Sequence, residues 1–531
     1  MDRDRRVRIY DAHSWTGISL GLFLFVVCFT GSVAMFHNEL MSWEDPNRRI
    51  ALSDAPVSGD ELMRTWAAEY PLEDIEFISL WYPTDREPYF QGRLTIHQDE
   101  GGDLFKQRRW NSQSGELLPD RESGLSTWLL GIHRDLMWPD VLGGRTIGRG
   151  LVGIAGIIML LSIVTGIITH RKILREFFTF RRTRTVRLKW KDAHNVLGTW
   201  TLPFSIMIAF SGAWLGIVAL LLPITGALVF KGDTAKLIEI VAPGPGGRTG
   251  EAMSPISFDE LALRRHPESG KKLAGVFVTN WGDSAARYQL SYYPDGELKY
   301  YEVEQLDASG ETVPLVGTLA PMASSRVVAS LSPLHYGTYG GLALKYLYFA
   351  LGIGLSVMVA LGNMVWIERR WHSAEGQQSP AFYARLSKLT VGVCMGVVLA
   401  TVAVFYADPF YRGDEEGRLA YVGWAYFAAW FLVILAAFRF ENSYRSMRLF
   451  MALTGIGLLG LPLVSAFVGG AAPWTLVDQG HYAAPLTDLT FLVLGALTLW
   501  VTVRLPRERL EQLGRRASRK ARLEQEAPAT G

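Results

Sequence analysis

Ten histidines are spread over a chain that has only two cysteines, Cys28 and Cys394. Four of the histidines stand at the edges of long apolar runs: His13 and His194 open the first and third, and His133 and His335 lie shortly before the second and fourth. Ionisable side chains at such positions are costly in a membrane bundle, so repeated ones are functional candidates. The arrangement suits b-type haem, whose iron is held by two neutral imidazoles from facing helices with the porphyrin wedged between them. On this reading His13 and His194 ligate one haem, and His133 and His335 a second. His37 and His170 end the first and second runs, and each can replace a chosen ligand or hydrogen-bond a haem propionate. His37 follows His13 by 24 residues, roughly 36 Å of helix, so one helix can serve both faces. His97, His266, His372 and His481 fall in loops and read as solvated.

Other chemistries are weaker. With only two cysteines, both in apolar runs, a disulfide framework is disfavoured and the count is too small for a cysteine-ligated cluster. There is no C-x-x-C-H for covalent haem and no H-E-x-x-H or Cys/His cluster for zinc. Gly455-Ile-Gly-Leu-Leu-Gly460 formally matches a dinucleotide fingerprint but lies inside an apolar run with no strand before it. Gly17, Gly31, Gly198, Gly212, Gly340 and Gly341 can let a flat macrocycle approach the backbone, and Trp15, Phe23, Trp200 and Phe204 can pack against it. Helix packing and interfacial anchoring explain the same residues.

The elements that position these residues are membrane spans. The chain has 531 residues, 53 basic and 51 acidic, with 49% hydrophobic residues. Its mean hydropathy is +0.14, high for a soluble protein of this size, and its balanced charge excludes a nucleic-acid binder resting on bulk electrostatics. Eight runs are long enough to cross a bilayer as helix: Trp15–Phe36, Ile147–Thr169, Leu197–Leu221, Leu342–Ile367, Leu389–Ala407, Ala420–Phe438, Phe450–Val468 and Leu486–Val503. The first is too long for a signal-peptide core. Basic residues cluster at Arg3–Arg8, at Arg171–Lys191 and at Arg504–Arg522, all on one side of an alternating eight-span topology, so both termini are expected in the cytoplasm.

Two hydrophilic segments of about 110 residues each then face outward, each large enough for a small domain. Tyr89–His97 and Phe105–Gly115 in the first, and Ala286–Gly296 and Leu298–Glu304 in the second, alternate as paired strands, with Pro294-Asp295-Gly296 as a hairpin turn. Ser58–Tyr70 and Ser257–Arg265 have helical periodicity, and Pro243–Gly250 reads as a linker. A displacement of 181 residues superposes Asp11-Ala12-His13 on Asp192-Ala193-His194, Gly17 on Gly198, Phe23 on Phe204, Phe29 on Phe210, and Thr30-Gly31 on Ser211-Gly212. A unit of span, external segment and span therefore occurs twice.

Asp11-Ala-His-Ser-Trp-Thr-Gly17, Gly131-Ile-His-Arg-Asp-Leu136, Thr165–Ile173, Asp192-Ala-His-Asn195 and Leu334-His-Tyr-Gly-Thr-Tyr-Gly-Gly341 together resemble the PepSY-associated transmembrane family over about residues 8–370. The family comprises iron-regulated bacterial inner-membrane proteins that include ferric-siderophore reductases. The resemblance implies an all-α polytopic membrane protein with a duplicated four-helix core binding two haems b and two small α+β PepSY-like periplasmic domains. The apolar runs and the segments between them divide the chain into residues 1–36 as the N-terminus and first span, 37–146 as the first periplasmic domain, and 147–221 as spans two and three. Residues 222–341 form the second domain, 342–370 the fourth span, 371–504 four additional spans, and 505–531 a basic tail. His13, His133, His194 and His335 match the family's recurring histidines, while His170 matches a longer-chain branch and leaves the inner pairing open.

The activity implied is reduction of a periplasmic ferric siderophore or other ferric chelate for iron acquisition. Electrons would come from a separate donor on the cytoplasmic side: a flavin, an NAD(P)H-linked reductase or quinol. The last four spans hold no histidine and can support the core or receive that donor. Trp81, Tyr82, Trp110, Trp281, Tyr292 and Tyr293 are candidates for siderophore contact, with core membership the competing role. The rival expectations are a non-redox binding module anchored by its spans, and a transporter using the histidines as a proton relay.

Overall fold

The computed structural model describes residues 2–50, 52–53, 55–84, 87–97, 104–119, 124–170, 173, 175, 177–178, 186–233, 236, 246–293, 298, 302–315, 323–373, 379–469 and 472–505. The expected turn at 294–296, the first residues of the linker, most of the basic segment between spans two and three, and the basic tail beyond 505 lie outside them.

Among the described residues eight helices are long and apolar enough to cross a membrane: α1 (Arg3–Ala34), α5 (Gly144–Thr169), α7 (Leu202–Leu228), α10 (Gly341–Trp371), α11 (Pro380–Ala407), α12 (Glu415–Arg439), α13 (Ser443–Gly469) and α15 (Ala483–Arg504). They coincide with the eight apolar runs of the sequence. Shorter helices lie between them: α2 (His37–Glu44), α3 (Gly59–Ala67), α4 (Gly124–Arg134), α6 (Val186–Trp200), α8 (Phe258–Ala262), α9 (Ala323–Tyr336) and α14 (Pro473–Asp478). The third span is divided, because α6 ends at Trp200 and α7 restarts with Pro203 in its first turn, where a missing N–H costs nothing. His194 therefore rides on α6 rather than on the spanning helix itself.

The first half of the chain builds a four-helix core in which α1 packs on α5 and α10, α7 packs on α5, and α6 packs on α10. Small residues set the closest crossing: a Cβ at Gly153 would stand 2.7 Å from Ile217 N, and one at Gly156 would stand 2.8 Å from Ala213 N. Close backbone approach of this kind maximises van der Waals contact where lipid offers no hydrophobic drive.

Outside the bundle, β1 (Ile75–Trp81), β2 (Tyr89–Ile96), β3 (Leu104–Asn111), β4 (Leu273–Thr279), β5 (Arg287–Tyr292), β6 (Glu302–Leu306) and β7 (Thr312–Val313) form one sheet in the order β3-β2-β1-β4-β5-β6-β7. The two hydrophilic segments thus share a sheet. β1 pairs antiparallel with β4, with Ser79 opposite Phe277, and neither strand was anticipated from the sequence. Both are nearly continuous apolar runs, the pattern of strands central to a sheet, and periodicity alone does not mark such runs as strand.

Helices α3 and α8 cover one face, where Met63, Trp66, Phe258 and Leu261 pack on Ile78, Leu80, Leu94, Val276, Val278 and Leu290. The helix starts latch reciprocally. Asp259 accepts from the Ser58 hydroxyl at 2.5 Å and from Gly59 N at 2.7 Å, and Asp60 accepts from the Ser257 hydroxyl and from Phe258 N.

Asp283, in the loop after β4, accepts hydrogen bonds from the backbone N–H groups of Ala285, Thr249 and Gly250 and from the Thr249 hydroxyl. The bond from Ala285 and then those from Thr249 and Gly250 hold its carboxyl well below the usual carboxylate range. A lowered folded-state value contributes stability above the unfolded value of about 4, and that contribution is lost as pH falls further. Asp283→Asn should therefore lower stability at neutral pH and flatten its decline below about pH 4. Fluorescence-monitored acid unfolding, with the neighbouring buried Trp281 as reporter, measures both.

The last four spans are not a separate bundle. Val397, Ala400, Val404, Phe405, Val422, Tyr426 and Leu461 share a core with Phe25 and Phe29 of α1, Leu40 and Trp43 of α2, and Leu125, Trp128 and Leu129 of α4. A buried polar bond crosses the contact, Trp43 Nε1 donating to Asp488 Oδ1 at 2.7 Å, and within the last four spans Arg418 donates twice to Asp408, at 2.9 and 2.6 Å.

Candidate functional site

Four histidines meet in two pairs, one at each end of the four-helix core. His13 and His194 have ring centres 6.4 Å apart, with planes inclined by 67°. On the side that carries the sheet, His133 and His335 are 6.2 Å apart and inclined by 17°. Two imidazoles sharing one metal through bonds of about 2.0 Å, with each ring centre about 1.1 Å behind its nitrogen, have centres roughly 6.2 Å apart. Both observed separations are of that size.

The hydrogen bonds determine the tautomer. His13 Nδ1 lies 3.0 Å from Ser162 O, His133 Nδ1 2.9 Å from Val27 O, and His194 Nδ1 2.8 Å from Met358 O. A carbonyl oxygen only accepts, so Nδ1 carries the proton in each. His335 Nδ1 lies 3.0 Å from Ser211 Oγ, whose own proton goes to Met207 O at 2.7 Å, so here too Nδ1 donates. Nε2 of each ring makes no hydrogen bond among the described residues and keeps the lone pair that a metal takes. A backbone carbonyl on Nδ1–H is also the partner that orients a ligating imidazole and raises its basicity.

Each ring rests on a glycine. A Cβ would stand 2.6 Å from His133 Cε1 at Gly31, 2.9 Å from His335 Cε1 at Gly212, 3.0 Å from His194 Cε1 at Gly362, and 3.3 Å from His13 Cε1 at Gly166. In three of the four, the carbonyl that takes Nδ1–H belongs to the residue one helical turn before the glycine: Val27 before Gly31, Ser162 before Gly166, and Met358 before Gly362. The missing side chain lets the imidazole lie on the helix backbone and reach that carbonyl.

The seats follow the duplication. α1 seats His133 as α7 seats His335, and α5 seats His13 as α10 seats His194. Gly31 and Gly212 thus hold imidazoles, where the sequence had suggested approach of a macrocycle. Gly166 and Gly362 escaped notice in the sequence, although Thr165-Gly166 repeats the hydroxyl-glycine signature of Thr30-Gly31 and Ser211-Gly212. Gly198 sits against Met358 Sδ, and Gly340 against Leu344. Trp15 packs on Trp366, and Phe204 on Tyr348.

The two alternatives sit at helix ends. His37 begins α2, and its Nδ1 lies 3.2 Å from Ser126 O. His170 caps the C-terminus of α5, near enough to His194 to interact with it electrostatically. Among the loop histidines, His97 and His372 are exposed, while His266 packs edge-on against buried Tyr292. Of the six aromatic residues proposed for ligand contact, Trp110, Trp281 and Tyr292 belong to the sheet core, and Tyr82 OH donates to Phe258 O at 2.6 Å. Their apolar area goes to holding helix on sheet.

The sheet-side pair is braced from below and beside. Glu44, at the end of α2, accepts the backbone N–H groups of Leu125 and Ser126 at 3.0 and 3.2 Å and the Ser126 hydroxyl at 2.7 Å. A carboxylate on the first N–H groups of α4 complements the helix dipole and satisfies donors that the helix cannot. Past His133 the chain reverses through Leu136 and Met137, both with positive φ, and Asp135 Oδ1 takes the Met137 N–H. Among the described residues no three or more His, Cys, Asp or Glu side chains converge on one point.

Residues 10–369, about two thirds of the chain, match the family model described as the PepSY-associated TM region. The uncharacterized protein PA4219 of Pseudomonas aeruginosa is 27% identical over 388 residues, an alignment that takes in 67% of this chain and 91% of that protein. Both histidine pairs and all four glycine seats lie within the matched region.

Proposed function

The chain belongs to the PepSY-associated transmembrane family, and from that premise we propose that it is a dihaem electron-transfer protein of the bacterial inner membrane. It reduces a ferric siderophore or other ferric chelate on the periplasmic, sheet-bearing side with electrons from a donor on the cytoplasmic side. One observation carries the reading: two histidine pairs at opposite ends of one four-helix core, each with ring centres at the spacing of two imidazoles that share a metal and each ring already in the Nδ1–H tautomer.

The residues present fit two haems b. His13 and His194 would hold one, His133 and His335 the other, through Nε2 in every case. When bound, haem supplies a one-electron ferric/ferrous couple near each face of the bilayer. The protein's part is to fix the ligands. Gly166, Gly362, Gly31 and Gly212 seat the rings, and carbonyl or hydroxyl oxygens hold each imidazole neutral and turned with Nε2 free. Reduction of the chelate consumes one electron per ferric ion, and the ferrous product is a poorer partner for hard oxygen ligands, which favours its release.

Purified full-length protein should show a reducible Soret and α-band and about two haems per chain by pyridine haemochrome. His13→Ala and His335→Ala should each remove one haem and leave the other. Colourless protein from haem-replete cells would falsify the reading, and proton flux through that colourless protein would favour a relay instead.

A further inference from the structure

The duplication places a cation twice at the same depth. The displacement of 196 residues that carries Gly166 onto Gly362 also carries Arg149 of α5 onto Lys345 of α10. Lys345 is buried and neutralised by Glu39, its Nζ lying 2.7 and 3.0 Å from the two carboxylate oxygens. Arg149 has no such partner: its Nε is buried and makes no hydrogen bond among the described residues.

The surroundings of Arg149 are positive. Arg134, Arg145, Asp135 and Tyr336 are its electrostatic neighbours. Asp135 is already taken up by Arg134, whose Nε and Nη2 lie 2.9 and 2.8 Å from its Oδ2, and it lies 3.4 Å from Arg145 Nε. Three guanidinium groups therefore face one carboxylate. Arg149 is half-buried, with its Nε shut off from solvent, so an anion that reaches it gains a charge-assisted hydrogen bond.

Arg149 lies to the sheet side of the His133–His335 pair. Arg134 directly follows His133 and Tyr336 directly follows His335 in the chain. α5 and α7 run antiparallel, with Gly153 against Gly216 and Gly156 against Ala213, so Arg149 lies about two helical turns to the sheet side of Gly212, the seat of His335. A planar, permanently charged guanidinium is the side chain best shaped for bidentate carboxylate binding.

We propose that Arg149 forms a carboxylate-binding site on the sheet side of the His133–His335 pair. The carboxylate has two possible sources, the propionate arms of the haem held by that pair or a carboxylate-bearing ferric chelate. The inference rests on the dihaem reading, and its asymmetry is built in, since the repeat-related Lys345 is spent on Glu39.

The test is a spectroscopic redox titration of the purified full chain, compared with Arg149→Met and Arg149→Lys, together with steady-state reduction of ferric citrate. A cation within about 10 Å of the iron, at an effective dielectric near 20, favours the ferrous form by roughly tenfold. If propionates are the ligand, Arg149→Met raises the ferric-to-ferrous ratio of the sheet-side haem by about tenfold at a fixed potential with no chelate present, and Arg149→Lys recovers most of the shift. If the chelate is the ligand, the titration is unchanged and Arg149→Met raises KM for ferric citrate about tenfold without lowering kcat. Wild-type protein with two haems, in which Arg149→Met alters neither readout, would overturn this site and leave the dihaem reading standing. Wild-type protein without haem would overturn both.

Discussion

If the chain holds the two haems proposed for it, Gly31→Leu should halve the haem content by emptying the sheet-side site alone, and Gly362→Leu should halve it by emptying the other. The side chain added at Gly31 would begin with a Cβ 2.6 Å from His133 Cε1, and that at Gly362 with one 3.0 Å from His194 Cε1. Neither imidazole can keep its bond to the carbonyl one turn earlier once it is pushed off the helix backbone. Displacement of even about 1 Å takes Nε2 out of bonding reach of a shared metal.

The substitutions should not unfold the helices, because leucine is favoured over glycine in a helix interior by roughly 1 kcal/mol. Haem per chain, with separate redox titration of the residual haem, reads the outcome. Equal loss at both sites from either variant, or loss at neither, would remove the seats from the account.

The second large effect concerns the four spans beyond the family match. Arg418→Met should destabilise the protein by about 3–5 kcal/mol, because it leaves the Asp408 carboxylate buried without its bidentate partner. Both side chains are only 4% exposed. The damage should reach the histidines. Gly124, the first residue of α4, lies on the aliphatic part of Arg418, and α4 carries His133 at its other end.

Accordingly Arg418→Met should shorten the half-life of the purified protein in detergent and loosen the sheet-side haem before the opposite one. Arg418→Met combined with Asp408→Asn should recover part of the loss, since the pair then lacks an unpaired charge. A double variant no more stable than Arg418→Met alone would mean that packing, and not the buried charge, is what the single change destroys.

Much of the membrane domain was legible from local pattern. A run of about 20 apolar residues has few alternatives to a spanning helix, so the eight spans emerged with their approximate limits. The repeat exposed His13 with His194 because duplication preserved the residues around them as well as the residues themselves. The sheet was half visible: β2, β3, β5 and β6 alternate in part, whereas β1 and β4 are apolar on both faces and look like buried segments of either type.

What the chain determines by itself is thus its spans, its duplicated plan and the histidines at their edges, all of which are written in short-range hydropathy and in residue identity. Tertiary structure alone decides which backbone each imidazole lies on. The seat of His133 is 102 residues away at Gly31, and that of His194 is 168 residues away at Gly362. It also decides that the two external segments close into one sheet through β1 and β4, and that the last four spans clamp α2 and α4. A glycine in a helix has no sequence mark of what it will touch. Its meaning appears only when a partner helix brings a ring within van der Waals distance of the hydrogen that stands where other residues carry a carbon.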